Sequence, residues 1–286
     1  MKSILPVLTV VGAIFVIWYA AAVWLNAPWS RDVAARAEVT LDLPELVADT
    51  WAQDKPKLPA PHQVAVELWD TVVDKKITSK RSLVYHSWIT LSATLLGFAL
   101  GTALGFALAL GIVYNRVMDM SVMPWVIASQ TIPILAIAPM IIVVLNAVGL
   151  SGLLPKAMIS MYLSFFPIVV GMVKGLRSPD AMQLDQMRTW NASRLQELLR
   201  LRLPSSMPYL FTSMKVAMAA SLVGAIVGEL PTGAVAGLGA RLLAGSYYGQ
   251  TIQIWSALIM AAVLAAAAVA LIGLVQRLVL KRMGMA

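Results

Sequence analysis

The sequence predicts an all-α membrane protein with six transmembrane helices and both chain ends on one side of the bilayer. Three observations predict this class. The 286 residues are 59% apolar and only 13% charged, with a mean hydropathy of +0.79. Apolar runs of about 20 residues recur along the chain, the length a helix needs to cross a hydrocarbon core of roughly 30 Å. The strict alternation of a membrane β-barrel is absent, and a lipid-facing backbone must satisfy its own hydrogen bonds, so the runs read as helices.

The first run, 4–25, follows Lys2 and exceeds a typical signal core, so it reads as an uncleaved anchor. The small residues Ala20 to Ala22 keep a cleavage site as the alternative. Residues 26–87 form a long connection. Its first part, 26–61, is rich in Pro, Asp, Glu and Ala and reads as a loop with short helical pieces. Its second part, 62–84, places Val64, Leu68, Val72 and Ile77 at near-helical spacing, which predicts an amphipathic helix on the membrane face. This segment is a solvated cap or a docking surface for a partner outside.

Residues 88–286 hold the other five spans, at about Trp88–Val113, 121–145, 154–173, 208–229 and 253–276. Gly97, Gly101 and Gly105 line one face of the second span and predict a close helix crossing. Pro124, Pro133 and Pro139 predict bends in the third span, because proline removes a backbone donor. Ser129, Gln130 and Thr131 lie beside those bends, and Ser160 and Ser164 lie near Pro167 in the fourth span. Polar residues on broken helices suit a translocation path, so these five are its candidates. Interhelical hydrogen bonding is the other reading of the same hydroxyls. Between the last two spans lies the glycine-rich segment from Pro231 to Leu243, expected to hold a short helix near the outer surface. Glu229 and Arg241 flank it and are expected to pair as a structural tie, with substrate contact as the alternative.

Basic residues orient the bundle. Lys2, Arg116, Lys174, Arg177, Arg188, Arg194, Arg200, Arg202, Arg277, Lys281 and Arg282 fall on one side of a six-span arrangement. The short connections opposite hold only Lys156 and Arg241. By the positive-inside rule both termini are cytoplasmic, as is the connection 174–207, while 26–87 lies outside. The net charge of +8 is thereby explained by topology, and no basic aromatic platform for nucleic acid is present.

Several chemistries lack residues. Cysteine is absent, and His62 and His86 are the only histidines. No clustered carboxylates or paired histidines sit within the spans, so metal or two-carboxylate catalysis has no candidate set. No phosphate-cradling Gly-x-x-x-x-Gly-Lys-Ser/Thr loop exists. The chain reads as no enzyme, with no cofactor of its own. Ion-coupled carriers normally bury ionisable residues in their spans. Here Lys215 lies close enough to the cytoplasmic edge to snorkel, which disfavours the alternative of a secondary carrier or channel not driven by ATP.

The polar stretch from Asp185 to Pro204 stands out between apolar runs. It resembles the cytoplasmic coupling loop of ABC-importer permeases, whose motif runs Glu-Ala-Ala, three residues, Gly, nine residues, Ile, one residue, Leu-Pro. Asp185, Gln186 and Met187 occupy the first three places, Asn191 the glycine, Leu201 the isoleucine, and Leu203-Pro204 closes the pattern. Further likeness lies in Pro59-Ala60-Pro61, His86, Phe165-Phe166-Pro167-Ile168, Val227-Gly228-Glu229-Leu230 and Gly237-Leu238-Gly239. The chain is similar to the nitrate/sulfonate/taurine type of these permeases from about residue 60 onward; residues 26–58 have no counterpart in the pattern.

The resemblance implies a type I ABC importer permease fold in a bacterial inner membrane. It implies a second permease copy or related permease, an extracytoplasmic solute-binding protein, and a cytoplasmic ATPase dimer that carries ATP and Mg. It also implies that Asp185, Gln186, Met187, Arg188, Asn191, Ala192, Ser193, Arg194, Leu201, Leu203 and Pro204 couple to that ATPase. Asparagine is among the few residues besides glycine that enter the left-handed region readily, so the turn at Asn191 survives the replacement.

Overall fold

The computed structural model describes residues 4–231 and 236–285. Lys2 and residues 232–235 of the glycine-rich segment lie outside the described residues. Every regular element among the described residues is helical. In chain order these are α1 Ile4–Arg36, α2 Leu43–Ala52, α3 Pro61–Trp69, α4 Leu83–Tyr114, α5 Arg116–Ser129 and α6 Ile134–Ala147. They continue with α7 Leu153–Leu176, α8 Ala181–Thr189, α9 Arg194–Glu197, α10 Leu203–Glu229, α11 Leu238–Tyr248 and α12 Thr251–Arg282. Single π turns follow α3 at Asp70–Asp74 and α9 at Leu198–Arg202.

Five helices are long and apolar enough to cross a membrane, and α5 with α6 form a sixth candidate bent by 100°. The chain forms two compact units. One holds the described residues up to Ser87 and Ala240–Ala261; the other holds Trp88–Gly239 and the described residues from Ala262 on.

In the first unit, α1 does not stop near residue 25. It continues to Arg36, so the first eleven residues of the expected loop are helical. Asn26 explains the extension. Its buried amide donates to the carbonyls of Thr50 and Leu58, at 3.3 and 2.9 Å. Its Oδ1 accepts from the backbone of Lys57 and Leu58, at 2.8 and 3.2 Å. A buried amide so fully satisfied fixes the helix against the returning chain. Helix α2 begins with Asp42, whose N–H donates to Glu45 Oε2 at 3.1 Å.

The amphipathic helix expected over 62–84 is shorter. It ends at the π turn, where Lys75 is extended, and Ile77 falls in the turn beyond. Ser82 then starts α4 by accepting from the Val84 N–H at 3.2 Å, five residues ahead of the expected Trp88. Trp18 joins these pieces: its indole N–H donates to Pro59 O at 2.9 Å, and its ring lies 4.8 Å from that of Trp255.

The second unit is built on α7. Ile159, Ile168, Met172 and Leu176 of this helix are fully buried. The glycine stripe of α4 faces it. A Cβ on Gly97 would meet Ser160 Cβ at 2.2 Å, and one on Gly101 would meet Ser164 Oγ at 2.1 Å. Helix α10 approaches from another side, where a Cβ on Gly224 would lie 2.7 Å from Ser160 Cα. Small residues let these backbones meet where apolar collapse supplies no drive in lipid.

The expected third span, 121–145, is two helices rather than one. Pro133 lacks the N–H that would continue α5 and stands ahead of α6 as its cap. The pair makes contact near both ends of α7. Asp119 in the first turn of α5 bonds Arg177 at the end of α7, at 2.8 Å, while Ala138 and Ile142 of α6 pack with Ile159 near its start.

Candidate functional site

The polar connection between α7 and α10 is ordered by its own caps. Asp180 caps α8 by accepting from the Ala181 N–H at 2.7 Å, and its own N–H donates to Gln183 Oε1 at 3.1 Å. Helix α8 ends at Asn191, whose φ of 50° is left-handed. The Asn191 N–H donates to Arg188 O at 2.9 Å and the Ala192 N–H to Met187 O at 3.0 Å. This pair of bonds is the Schellman closure that glycine usually makes. Ser193 then caps α9: its Oγ accepts from Gln196 N at 3.3 Å and its N–H donates to Gln196 Oε1 at 2.8 Å. Two short helices therefore meet at a fixed corner rather than in a loose loop.

Of the residues singled out in this connection, Asp185, Gln186, Arg188, Asn191, Ser193 and Arg194 are exposed. Asp185 accepts from Arg188 Nη1 at 2.9 Å across one exposed turn. Met187 is buried and, with Gln186, Trp190, Ala192, Arg200 and Leu201, lines a cleft of about 340 Å³. Leu203 and Pro204 are half-buried at the start of α10, where Leu203 packs on the core around Met172. Met182 and Trp190 project from this polar surface, at 77% and 68% exposure.

Arg202 ties the corner to the bundle, and sequence reasoning did not single it out. Its Nη1 donates to Leu176 O at 2.8 Å, its Nε donates to Glu197, and its guanidinium lies 5.9 Å from the Tyr114 ring centre. The signal in the sequence is weak. Glu197 and Arg202 are five residues apart, a spacing that meets only because the intervening turn is a π turn. One side chain thus joins the ends of α4, α7 and α10.

The five path candidates separate into two sets. Ser160 and Ser164 are fully buried, donating to Ser221 O at 2.9 Å and to Gly97 O at 3.3 Å. They tie α7 to α10 and α4 beneath the glycine stripe, the second of the two readings their hydroxyls offered. Ser129, Gln130 and Thr131 lie at the 100° bend between α5 and α6, with Gln130 and Thr131 exposed. The Tyr162 hydroxyl donates to Ser129 O and fixes the bend against α7.

Glu229 and Arg241 each have a counter-charge within their own unit. Glu229 has no exposed surface. Thr90 donates to it at 3.0 Å, the Gly239 N–H donates at 2.8 Å, and Lys156 Nζ stands at 3.8 Å. Thr90 Oγ1 also accepts from the Leu238 N–H at 2.9 Å, and Lys156 donates to Ala236 O at 3.3 Å. The knot anchors residues 236–239 onto α4, α7 and α10. Lys156 was legible as the lone lysine of its short connection; Thr90, 139 residues from Glu229, was not. Arg241 instead stands 3.9 Å from Glu67. Burial pushes the Glu67 carboxyl above its usual range, opposed by Arg241, and burial lowers the Arg241 guanidinium, opposed by Glu67.

Long apolar helices, a bend held at polar residues and a capped polar corner tied into the helix ends define a multi-pass membrane transport component. The chain belongs to the family of binding-protein-dependent transport system inner membrane components, whose model matches residues 101–285. It is 34% identical over 224 residues to the riboflavin transport system permease protein of Chloroflexus aurantiacus, covering 78% of this chain and 80% of that one. It is 29% identical over 201 residues to a probable ABC transporter permease protein of Haemophilus influenzae, covering 70% and 77%. It is 30% identical over 182 residues to the formylaminopyrimidine transport permease protein of Halalkalibacterium halodurans, covering 64% and 68%. The chain is thus a permease subunit of an ABC importer for small solutes. It is not itself the catalyst, because the ATPase of such systems is a separate subunit.

Proposed function

We propose that this permease sits in a bacterial inner membrane, takes a small polar solute from an extracytoplasmic binding protein, and docks a cytoplasmic ATPase dimer on the corner formed by α8 and α9. The ATPase carries the ATP and Mg. A second permease copy or a related permease completes the channel. The observation that carries the reading is the rigid corner at Asn191, joined through Arg202 to the bundle: a force applied at α8 reaches helix ends without first being absorbed by a slack loop.

Orientation follows from charge. Arg116, Lys174, Arg177, Arg188, Arg194, Arg200, Arg202, Arg277, Lys281 and Arg282 share one side if α5 and α6 together make one crossing. That side is the cytoplasm, with both termini, and 26–87 lies outside. Asp185, Gln186, Arg188, Ser193 and Arg194 face the ATPase; Met187, Ala192, Leu201, Leu203 and Pro204 hold the corner that presents them. Gln130 and Thr131, with Ser129 behind them, line the solute path at the bend. Two relatives are named for riboflavin and formylaminopyrimidine, which favours a planar nitrogen heterocycle as the solute class.

Copurification tests the assembly. Tagged permease from native membranes brings down a soluble ATPase, and Asp185→Lys with Arg194→Glu weakens that association. A permease that transports without any ATPase overturns the reading. The chain has no cysteine, so single cysteines at 189 and 54 report sidedness directly by labelling with a membrane-impermeant maleimide.

A further inference from the structure

A cleft of about 370 Å³ lies on the second unit between α10 and α12, lined by Lys215, Val269, Ala270, Gly273, Leu274 and Arg277. It contains two cations and no carboxylate. Helix α12 holds no Asp or Glu anywhere. The single acid of α10 is Glu229, engaged with Lys156 near the other end. Helix α4, which contributes Phe98 to the neighbouring packing, has no acid either. Among the described residues Lys215 makes no ion pair, although it sits within an apolar span. An uncompensated ammonium at that depth is costly unless an anion or the headgroup layer meets it.

The lysine stem reaches across to α12: a Cβ on Gly273 would lie in ordinary contact with Lys215 Cε, at 3.6 Å. Arg277 follows one turn further along the helix, and Lys281 and Arg282 are exposed beyond it. From Pro208, Lys215 lies about 10 Å along α10, within reach of the headgroup level by snorkelling. On its other side the cleft is apolar. Val269 and Leu274 line it, and Leu271 and Leu274 are exposed at 61% and 54%. No hydroxyl or amide side chain lines it, so a small soluble anion would find charge there but no directional donors beyond the two cations.

We propose that this cleft binds an anionic phospholipid, with the phosphate held between Lys215 and Arg277 and an acyl chain lying along Val269 and Leu274. Basic pockets between membrane helices take lipid headgroups in this way. The site is separate from the α8–α9 corner, so the proposal survives or fails independently of how the ATPase docks.

Native mass spectrometry of the detergent-purified transporter tests it, with phosphatidylglycerol, phosphatidylcholine and inorganic phosphate as probes. The wild type should retain phosphatidylglycerol in preference to phosphatidylcholine. Lys215→Gln should weaken retention about fivefold, and Lys215→Gln with Arg277→Gln about thirtyfold. Lys215→Arg should keep it. Equal retention of the two lipids, or undiminished retention in the folded double variant, overturns the proposal. Displacement of the lipid by millimolar inorganic phosphate also overturns it, since that marks a small-anion site. The lipid comparison needs no variant, so it decides the matter even where the double variant does not fold.

Discussion

Arg202 donates to the Leu176 carbonyl oxygen at 2.8 Å, so the side chain that closes the polar corner also caps the end of the central helix. A helix end leaves carbonyls without partners, and a cation there satisfies one and complements the helix dipole. The same guanidinium is paired with Glu197, which makes it the joint between the corner and the bundle.

Replacing Arg202 by Leu therefore leaves Glu197 and Leu176 O without their partner. The expected loss is roughly 1.5–3 kcal/mol of local stability, the range for hydrogen bonds to charged groups. Uptake should fall well below the level set by the amount of assembled protein, while membrane insertion persists. Parallel measurement of solute uptake and ATP hydrolysis in proteoliposomes checks this; hydrolysis continuing at a normal rate with uptake lost is the expected pattern.

Asn191 gives a sharper local test. Its φ of 50° suits glycine at least as well as asparagine, so Asn191→Gly should leave ATPase association within twofold. A β-branched residue fits the left-handed region poorly, so Asn191→Val should cost about 1–2 kcal/mol in the closure of α8 and weaken the association. Pull-down yield across the three proteins decides it.

The α4–α7 crossing tolerates no added bulk. A Cβ on Gly97 would come within 2.6 Å of Ala157 O, a backbone atom that cannot step aside cheaply. Gly97→Leu should destabilise the folded protein by at least about 1–3 kcal/mol, whereas the same change at Gly12, which has nothing within 4 Å, should be neutral. Thermal melts in detergent compare the two.

Glu229→Ala removes the acceptor of Thr90 and of the Gly239 N–H and strands Lys156. Breaking a buried charge pair costs roughly 3–5 kcal/mol. Adding Lys156→Met should recover part of that loss, because the stranded charge is gone. A double-mutant cycle on melting temperature measures the recovery; simple additivity would refute the pairing.

The Glu67–Arg241 pair predicts a pH dependence. Burial raises the folded pKa of Glu67 above 4.5, so the native state holds its proton longer than the unfolded chain does. That contribution to stability is full below pH 4.5 and is lost as pH rises through the raised value. Relative to Glu67→Gln, the wild type should therefore lose melting temperature as pH rises above 4.5. Burial depresses Arg241, so its penalty also falls on the charged form. Replacing both by uncharged residues should be near neutral at pH 7, while Arg241→Met alone should destabilise.

Much of this was legible in the chain. The glycine spacing at 97, 101 and 105 announced a close crossing, because only the absence of a side chain permits it. The motif from Asp185 to Pro204 announced a structured polar corner, and Asn191 its left-handed turn. Helix ends and partners were less legible. Asn26 carries α1 on to Arg36 through bonds to residues 50–58, which no local window contains. Hydroxyls at Ser160 and Ser164 look alike in the sequence whether they line a path or tie helices; their burial and their bonds to Ser221 and Gly97 are visible only in the fold.

The sequence by itself determined that the chain is a helical membrane protein with a polar connection between apolar runs, because hydropathy and helix period act over short stretches. Tertiary structure alone decided that Glu229 is held by Lys156 and Thr90, that Arg241 turns to Glu67, and that Arg202 reaches Leu176. Charge pairing is set by which helices meet in space, and in a buried setting each ion takes the nearest partner that offsets its desolvation, however distant in the chain.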